Sequence, residues 1–156
     1  MSKGLEARIN KLEAIEEIKN LQARYAYLID SLQIEKIPDL FADSFMAEYD
    51  TMGTFRTKSE LFRFFETFST VSSMMCHHQL TPLIELDGDM ATGIWYLFGP
   101  FTLNTPEGKI AVWCQGKYEN EYVKENGEWK FRLLKFKYNL LSPYEDGWVK
   151  TRMMGR

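Results

Sequence analysis

Residues 116–136 read GKYENEYVKENGEWKFRLLKF, two runs rich in aromatic and branched side chains on either side of Asn126-Gly127. An Asn-Gly between alternating runs is the strongest short-range signal for a β-hairpin, because both residues tolerate the positive φ that a tight turn needs. Working outward, residues 83–86, 91–98, 110–123 and 129–141 share the same β-branched and aromatic character. Turn-forming residues separate them at Asp87-Gly88-Asp89 and Pro106-Glu107-Gly108. The second half of the chain is therefore expected to be a long antiparallel sheet.

The first third has a different period. Leu5, Ile9 and Leu12, then Ile18, Leu21, Tyr25 and Leu28, recur at spacings of three and four, which predicts helix over residues 5–31, as two segments or one bent helix. Residues 34–41, with Pro38 near the first turn, read as a short second helix. Residues 59–68 read as a third, with Ser59 in place to cap it. Helices followed by a run of strands argue for α+β and against a doubly wound α/β fold. A strongly curved sheet covered by helices on one face leaves a concavity, where ligands usually sit. A chain of 156 residues is expected to form one domain over 1–156.

Composition removes several function classes. The chain is 45% hydrophobic and 26% charged, with net charge −3, so no basic field attracts a phosphate backbone and no nucleic-acid partner is expected. No apolar run approaches the ~18 residues of a membrane span, and the charged start has no stretch like a secretory signal. Cys76 and Cys114 stand apart in apolar company and read as free thiols, which points to the cytoplasm. Aromatic residues reach 15%, which suits a thick core or an apolar cavity wall. No Gly-rich phosphate loop and no Gly-x-Ser-x-Gly occur, so no nucleotide cofactor or serine nucleophile is expected. The only histidines, His77 and His78, are adjacent. On a strand they point to opposite faces and cannot share one metal, so no metal centre and no cofactor are expected. Any chemistry must then be side-chain acid–base catalysis.

Asp30 stands near the C-terminal end of the first helical region, where the macrodipole disfavours a carboxylate by ~0.3–1 kcal/mol. It shares a helix face with Ala23, Ala26 and Tyr27. Such a placement suits a functional carboxylate or a residue that turns the chain out of the helix. If residues 74–80 are extended, Met74, Cys76, His78 and Leu80 share a mostly apolar face, and His77 shares the other with Gln79 and Thr81. His77 is thus the candidate base, with Asp30 to fix its tautomer, unless it is a structural strand histidine. Tyr25, Tyr27, Tyr49 and Tyr138 could hold a substrate oxygen while their rings line an apolar pocket, or simply fill the core.

Three stretches together carry a family resemblance. AIEEIKNLQARYAYLID (14–30), His-His leading into TPLIELDGDMATGIWYL (81–97), and residues 116–136 resemble the SnoaL-like branch of the NTF2-like superfamily, over about residues 12–148. The resemblance implies a cone-shaped α+β barrel, with N-terminal helices packed on a strongly curved antiparallel sheet around a deep pocket. It also implies frequent dimers or trimers, so a homotrimer or homodimer is expected. Dehydratases of the family use a His–Asp pair, and the matching positions are His77 and Asp30. Substrate-facing tyrosines of the family match Tyr25 and Tyr49. A second histidine on a later strand has no counterpart, and Tyr138 stands where one relative carries an arginine. The implied activity is a cofactor-independent lyase, a dehydratase or a formaldehyde-releasing C–C lyase, acting on a small apolar, aromatic and oxygenated substrate. An isomerase, a polyketide cyclase or a non-catalytic binding or oligomerisation module are the alternatives.

Overall fold

The computed structural model describes residues 3–154. It opens with one continuous helix, α1 (Lys3–Asp30), 28 residues long. Its buried residues begin at Ile18 and continue through Leu21, Gln22, Tyr25, Leu28 and Ile29, the three–four spacing of a face laid on a sheet. The earlier stripe is uncovered: Leu5 and Leu12 lie in solvent, because the sheet ends before reaching them. Residues Ile34–Leu40 form a 3-10 helix rather than an α-helix. Pro38 inside it has no N–H to donate to an i−4 carbonyl.

The remaining elements are β1 (Phe41–Tyr49), β2 (Gly53–Phe55), α2 (Lys58–Glu66), α3 (Phe68–Val71), β3 (Ser72–Met74), β4 (His78–Asp87), β5 (Met90–Thr105), β6 (Gly108–Glu125), β7 (Glu128–Pro143) and α4 (Gly147–Lys150). The cap of α2 is Thr57, not Ser59. Its hydroxyl accepts from the Glu60 N–H at 3.2 Å, and the Glu60 carboxylate accepts from the Thr57 N–H at 3.0 Å. Among the described residues no helix is long and apolar enough to cross a membrane.

The sheet has seven strands in the order β2-β1-β7-β6-β5-β3, with β4 paired to β5. The three turns read from the sequence join β4 to β5, β5 to β6 and β6 to β7 as antiparallel hairpins. One pairing is parallel: β1 lies on β7, with Ala47 opposite Leu134. The sheet curves around α1 without closing, so the expected barrel is an open, strongly bent sheet.

Among the bulges that bend the strands, two show how apolar residues stay inside. Opposite the Glu121–Tyr122 step of β6, one extra residue of β7 switches the inward set from Trp129 and Phe131 to Leu134 and Phe136. In β4 the extra residue falls at Thr81-Pro82, where Leu80 pairs Tyr96 and Leu83 pairs Ile94. Thr81 takes φ +48°, a strained value for a β-branched side chain. Before the bulge His77 and Gln79 face inward, and after it Ile84 and Leu86 pack on the core.

The chain just before β4 lies tightly over β5. A Cβ on Gly99 would sit 1.7 Å from the Cys76 carbonyl oxygen, so only glycine admits this crossing. Gly99→Ala must push away the backbone that carries His77. It is expected to lower stability by about 3 kcal/mol in urea unfolding, at the upper end of ordinary overpacking. Wild-type stability in that variant would show that the crossing is not tight.

Candidate active site

Asp30 is the last residue of α1, and His77 lies in the link between β3 and β4. The two meet. The His77 backbone N–H donates to Asp30 Oδ2 at 2.9 Å, and His77 Nδ1 lies 2.5 Å from Asp30 Oδ1. A carboxylate accepts, so Nδ1 is the ring nitrogen that donates to it, and in the neutral imidazole that tautomer leaves the Nε2 lone pair free. The His77 side chain is 7% exposed and that of Asp30 26%. The imidazole packs on the Phe101 ring with centroids 4.8 Å apart.

His77 forms part of the wall of an interior cavity of about 40 Å³. Leu97, Phe101 and Phe136 supply apolar wall, and Tyr25, Tyr49, Tyr118 and Tyr138 bring four hydroxyls. At ~10–15 Å³ of such space per water, the cavity has room for a few waters. Anything larger must displace Met52 or Phe68, which also line it. A larger groove of about 320 Å³ lies behind the dyad, bounded by Ala23, Ala26, Tyr27 and Asp30. His77 lines both, and the interior cavity is the one that also brings tyrosine hydroxyls.

The tyrosines are neutral donors. Burial pushes the phenols of Tyr25, Tyr49 and Tyr118 well above their ordinary value, and does the same to Tyr138. The Tyr25 and Tyr49 hydroxyls are 2.9 Å apart and share a hydrogen bond. Rings of Tyr25 and Tyr118 meet edge to face at 6.2 Å. Tyr138 donates its backbone N–H to Asp50 Oδ2 at 3.1 Å, which anchors the strand beside the cavity.

Of the residues read from the sequence, Asp30 and His77 come together, and Tyr25, Tyr49 and Tyr138 line the same cavity. Tyr27 does not: it is 75% exposed on the opposite side of α1. On the Ala23–Ala26–Tyr27 face only Ala26 is buried, and the three residues form a groove wall. The alternation around the histidines holds, and His77 is the one that faces the cavity. The apolar set Cys76, His78 and Leu80 faces outward, and His78 is exposed, 3.2 Å from the Phe98 carbonyl through Nδ1. The polar set His77 and Gln79 faces in, and Thr81 leaves the alternation at the bulge. Sequence reading missed Tyr118 and Gln22. The alternation Cys114, Tyr118, Asn120, Tyr122 along β6 carried the signal for the first. A lone polar residue on the apolar stripe of α1 carried it for the second.

Both cysteines are free. Burial pushes the Cys114 thiol up to about 12, while Cys76 is partly open. Iodoacetamide at neutral pH should alkylate Cys76 in the native protein and reach Cys114 only after denaturation. Peptide mass mapping that found Cys114 modified first would contradict this burial.

The SnoaL-like domain family model matches residues 10–135. Among solved structures, the chain is similar to a substituted form of Rv3472 from Mycobacterium tuberculosis, a protein of unknown function. Identity is 25% over 85% of this chain and 75% of that one, with TM-score 0.72. It is also similar to a candidate scytalone dehydratase from Novosphingobium aromaticivorans, at 18% identity, coverage of 86% and 89%, and TM-score 0.76. A hexachlorocyclohexane dehydrochlorinase, LinA-type3 from Novosphingobium barchaimii LL02, aligns at 19% identity, coverage of 87% and 93%, and TM-score 0.78. No curated protein matches the chain in sequence.

Proposed function

Since the chain belongs to the SnoaL-like domain family, with an NTF2-like fold, we propose that it is a cofactor-independent lyase acting on a small, largely apolar, oxygenated substrate, aromatic in the first instance. The observation that carries this reading is the Asp30–His77 pair in the wall of an apolar cavity that also holds tyrosine hydroxyls. His77 Nε2 takes a proton from substrate carbon. Asp30 orients the ring and stabilises the imidazolium that forms. The same nitrogen then gives its proton to the leaving oxygen, so that dehydration returns the enzyme to its starting state. Formaldehyde-releasing C–C cleavage would use the same base. Tyr25, Tyr49 and Tyr138 hold substrate oxygens as neutral donors. Proton transfer by a positioned group contributes ~10²–10⁴-fold. Exclusion of water from the cavity strengthens each polar contact in it.

The small cavity favours a second reading, a binding module that closes on a ligand without turnover. Substitutions separate the two once a substrate is found by mass spectrometry of co-purified ligands and a screen of aromatic alcohols. His77→Ala should cut turnover by at least ~10²-fold, and Asp30→Asn by a similar or smaller factor. His78→Ala, at an exposed position, should leave turnover intact and shift stability by less than about 0.5 kcal/mol. Full activity in both His77→Ala and Asp30→Asn would remove the lyase reading.

The assembly we expect is a homotrimer or homodimer. Leu83, Tyr96 and Phe98 lie exposed on the outer face of β4 and β5, and Trp113 stacks on Phe98 at 5.5 Å. Contiguous apolar surface of this kind is uncommon on monomers. Light scattering at micromolar concentration should give two or three times the chain mass, and a monomer would refute the assembly.

A further inference from the structure

One side chain links the narrow cavity beside His77 to solvent. Among the residues of its wall Met52 alone is exposed, at 38%, while Tyr25, Ile29 and Leu97 are each 1% exposed. Met52 belongs to neither adjoining strand: it stands in the turn between β1, which ends at Tyr49, and β2, which begins at Gly53.

The backbone of that turn is pinned. The Asp50 N–H donates to the Phe136 carbonyl at 2.9 Å, Asp50 Oδ2 accepts from the Tyr138 N–H at 3.1 Å, and the Met52 N–H donates to the Tyr49 carbonyl at 2.7 Å. The Met52 side chain is held more weakly. Its sulfur accepts from the Tyr138 hydroxyl at 3.8 Å, and a thioether is a weak acceptor. Methionine is unbranched, with three rotatable bonds, so it can swing aside while the turn stays in place. Its neighbours in the wall have firmer seats. Phe68 packs edge to face on both Phe64 and Phe65 at 5.0 Å, and Tyr138 does so on Phe136 at 4.7 Å. His77 is tied to Asp30.

We infer that Met52 is the gate of the cavity and the Tyr138 hydroxyl its latch, released when an acceptor oxygen of the ligand takes the place of the sulfur on that hydroxyl. A phenol has one proton to donate, so sulfur and ligand compete for it. Burial pushes the Tyr138 phenol up, which keeps that proton in place. Oxygen is the stronger acceptor, so the exchange favours an oxygenated ligand. A hydrocarbon of the same shape breaks the latch and puts nothing in its place. Met52 thus sets specificity at the entrance, together with Tyr138. The gate deepens the lyase reading, on which it rests for its role in turnover but not for binding.

The test uses two probes of one shape, cyclopentanone and methylenecyclopentane, followed by NMR titration of the whole protein, with line shapes giving the exchange rates. Wild type should prefer the ketone by about tenfold, the worth of one hydrogen bond. Tyr138→Phe should lose the preference yet bind the hydrocarbon about threefold more tightly than wild type, since no latch is left to break. Met52→Leu keeps the bulk without the sulfur, and should tighten both probes by about threefold with the preference kept. It decides on the latch if Tyr138→Phe fails to fold. Met52→Ala should speed association of both probes at least about tenfold. Unchanged association in Met52→Ala would overturn the gate. Equal binding of both probes to wild type, a preference kept in Tyr138→Phe, or Met52→Leu binding as wild type does would overturn the latch. Binding of neither probe to any of these proteins would overturn both. His77→Ala should keep the ketone preference, so a preference kept together with undiminished turnover in that variant would sink the lyase reading and leave the gate standing.

Discussion

Asp30 closes a ring of constraints with one carboxylate. One oxygen takes the His77 backbone N–H and the other takes the His77 ring. The main chain and the side chain of the same residue are thus fixed by a single partner, and the imidazole can neither flip nor swing out. The carboxylate sits at the negative end of a 28-residue helix, an electrostatically poor place worth ~0.3–1 kcal/mol against it. Charge-assisted hydrogen bonds at ~1.5–3 kcal/mol outweigh that. The same contact ties the end of α1 to the sheet margin where β3 gives way to β4. Gly99 extends the constraint from below, by letting the Cys76 carbonyl rest on β5.

The cavity divides labour by burial. Phenols are pushed upward and stay protonated, which makes them donors that cannot compete for a proton. An imidazole is the side chain suited to accept and return one near neutral pH. Donors with fixed directions need no rearrangement when charge develops, which is how such sites lower barriers. The cost shows in the fold. Thr81 is held at positive φ, and the buried Gln79 Nε2 has no hydrogen-bond partner among the described residues. Both fall within four residues of His77, which is where a stability–activity compromise is expected to collect.

Much of this was legible in the residues, and for physical reasons. Asn126-Gly127 forces a turn whatever surrounds it, so the β6–β7 hairpin could be read locally. Asp30 and His77 stood out because each broke or outlived a local rule. What escaped depends on partners far along the chain. The alternation over residues 74–80 separates His77 and Gln79 from Cys76, His78 and Leu80, but it carries no sign of what holds them inward: Asp30 and Gln22 satisfy them from 47 and 57 residues away. The parallel seat of β1 on β7 leaves no periodic trace, since either orientation buries the same alternate residues. Closure into a barrel rests on whether the sheet edges meet, and strand composition is silent on that. The β4 bulge announced itself only as Thr81-Pro82, a pair equally at home in a turn.

The lining of the cavity also bears on the kind of departure that the proposed lyase can support. Hydroxyls, aromatic rings, aliphatic chains and a thioether make up the wall together with His77, and no lysine or arginine is among them. From the last strand the wall takes only Phe136 and the neutral Tyr138, so that strand brings no positive charge to the cavity. A leaving group that departed as a naked anion would meet only phenol dipoles. One that left as neutral water, after taking the proton held on His77, would need no cation. The imidazolium formed by abstraction is the one positive charge that this wall can generate, and it is spent in the same turnover on the leaving oxygen. On electrostatic grounds the site therefore suits elimination of water better than expulsion of a halide or a carboxylate, a distinction that lies in the wall and not in the fold.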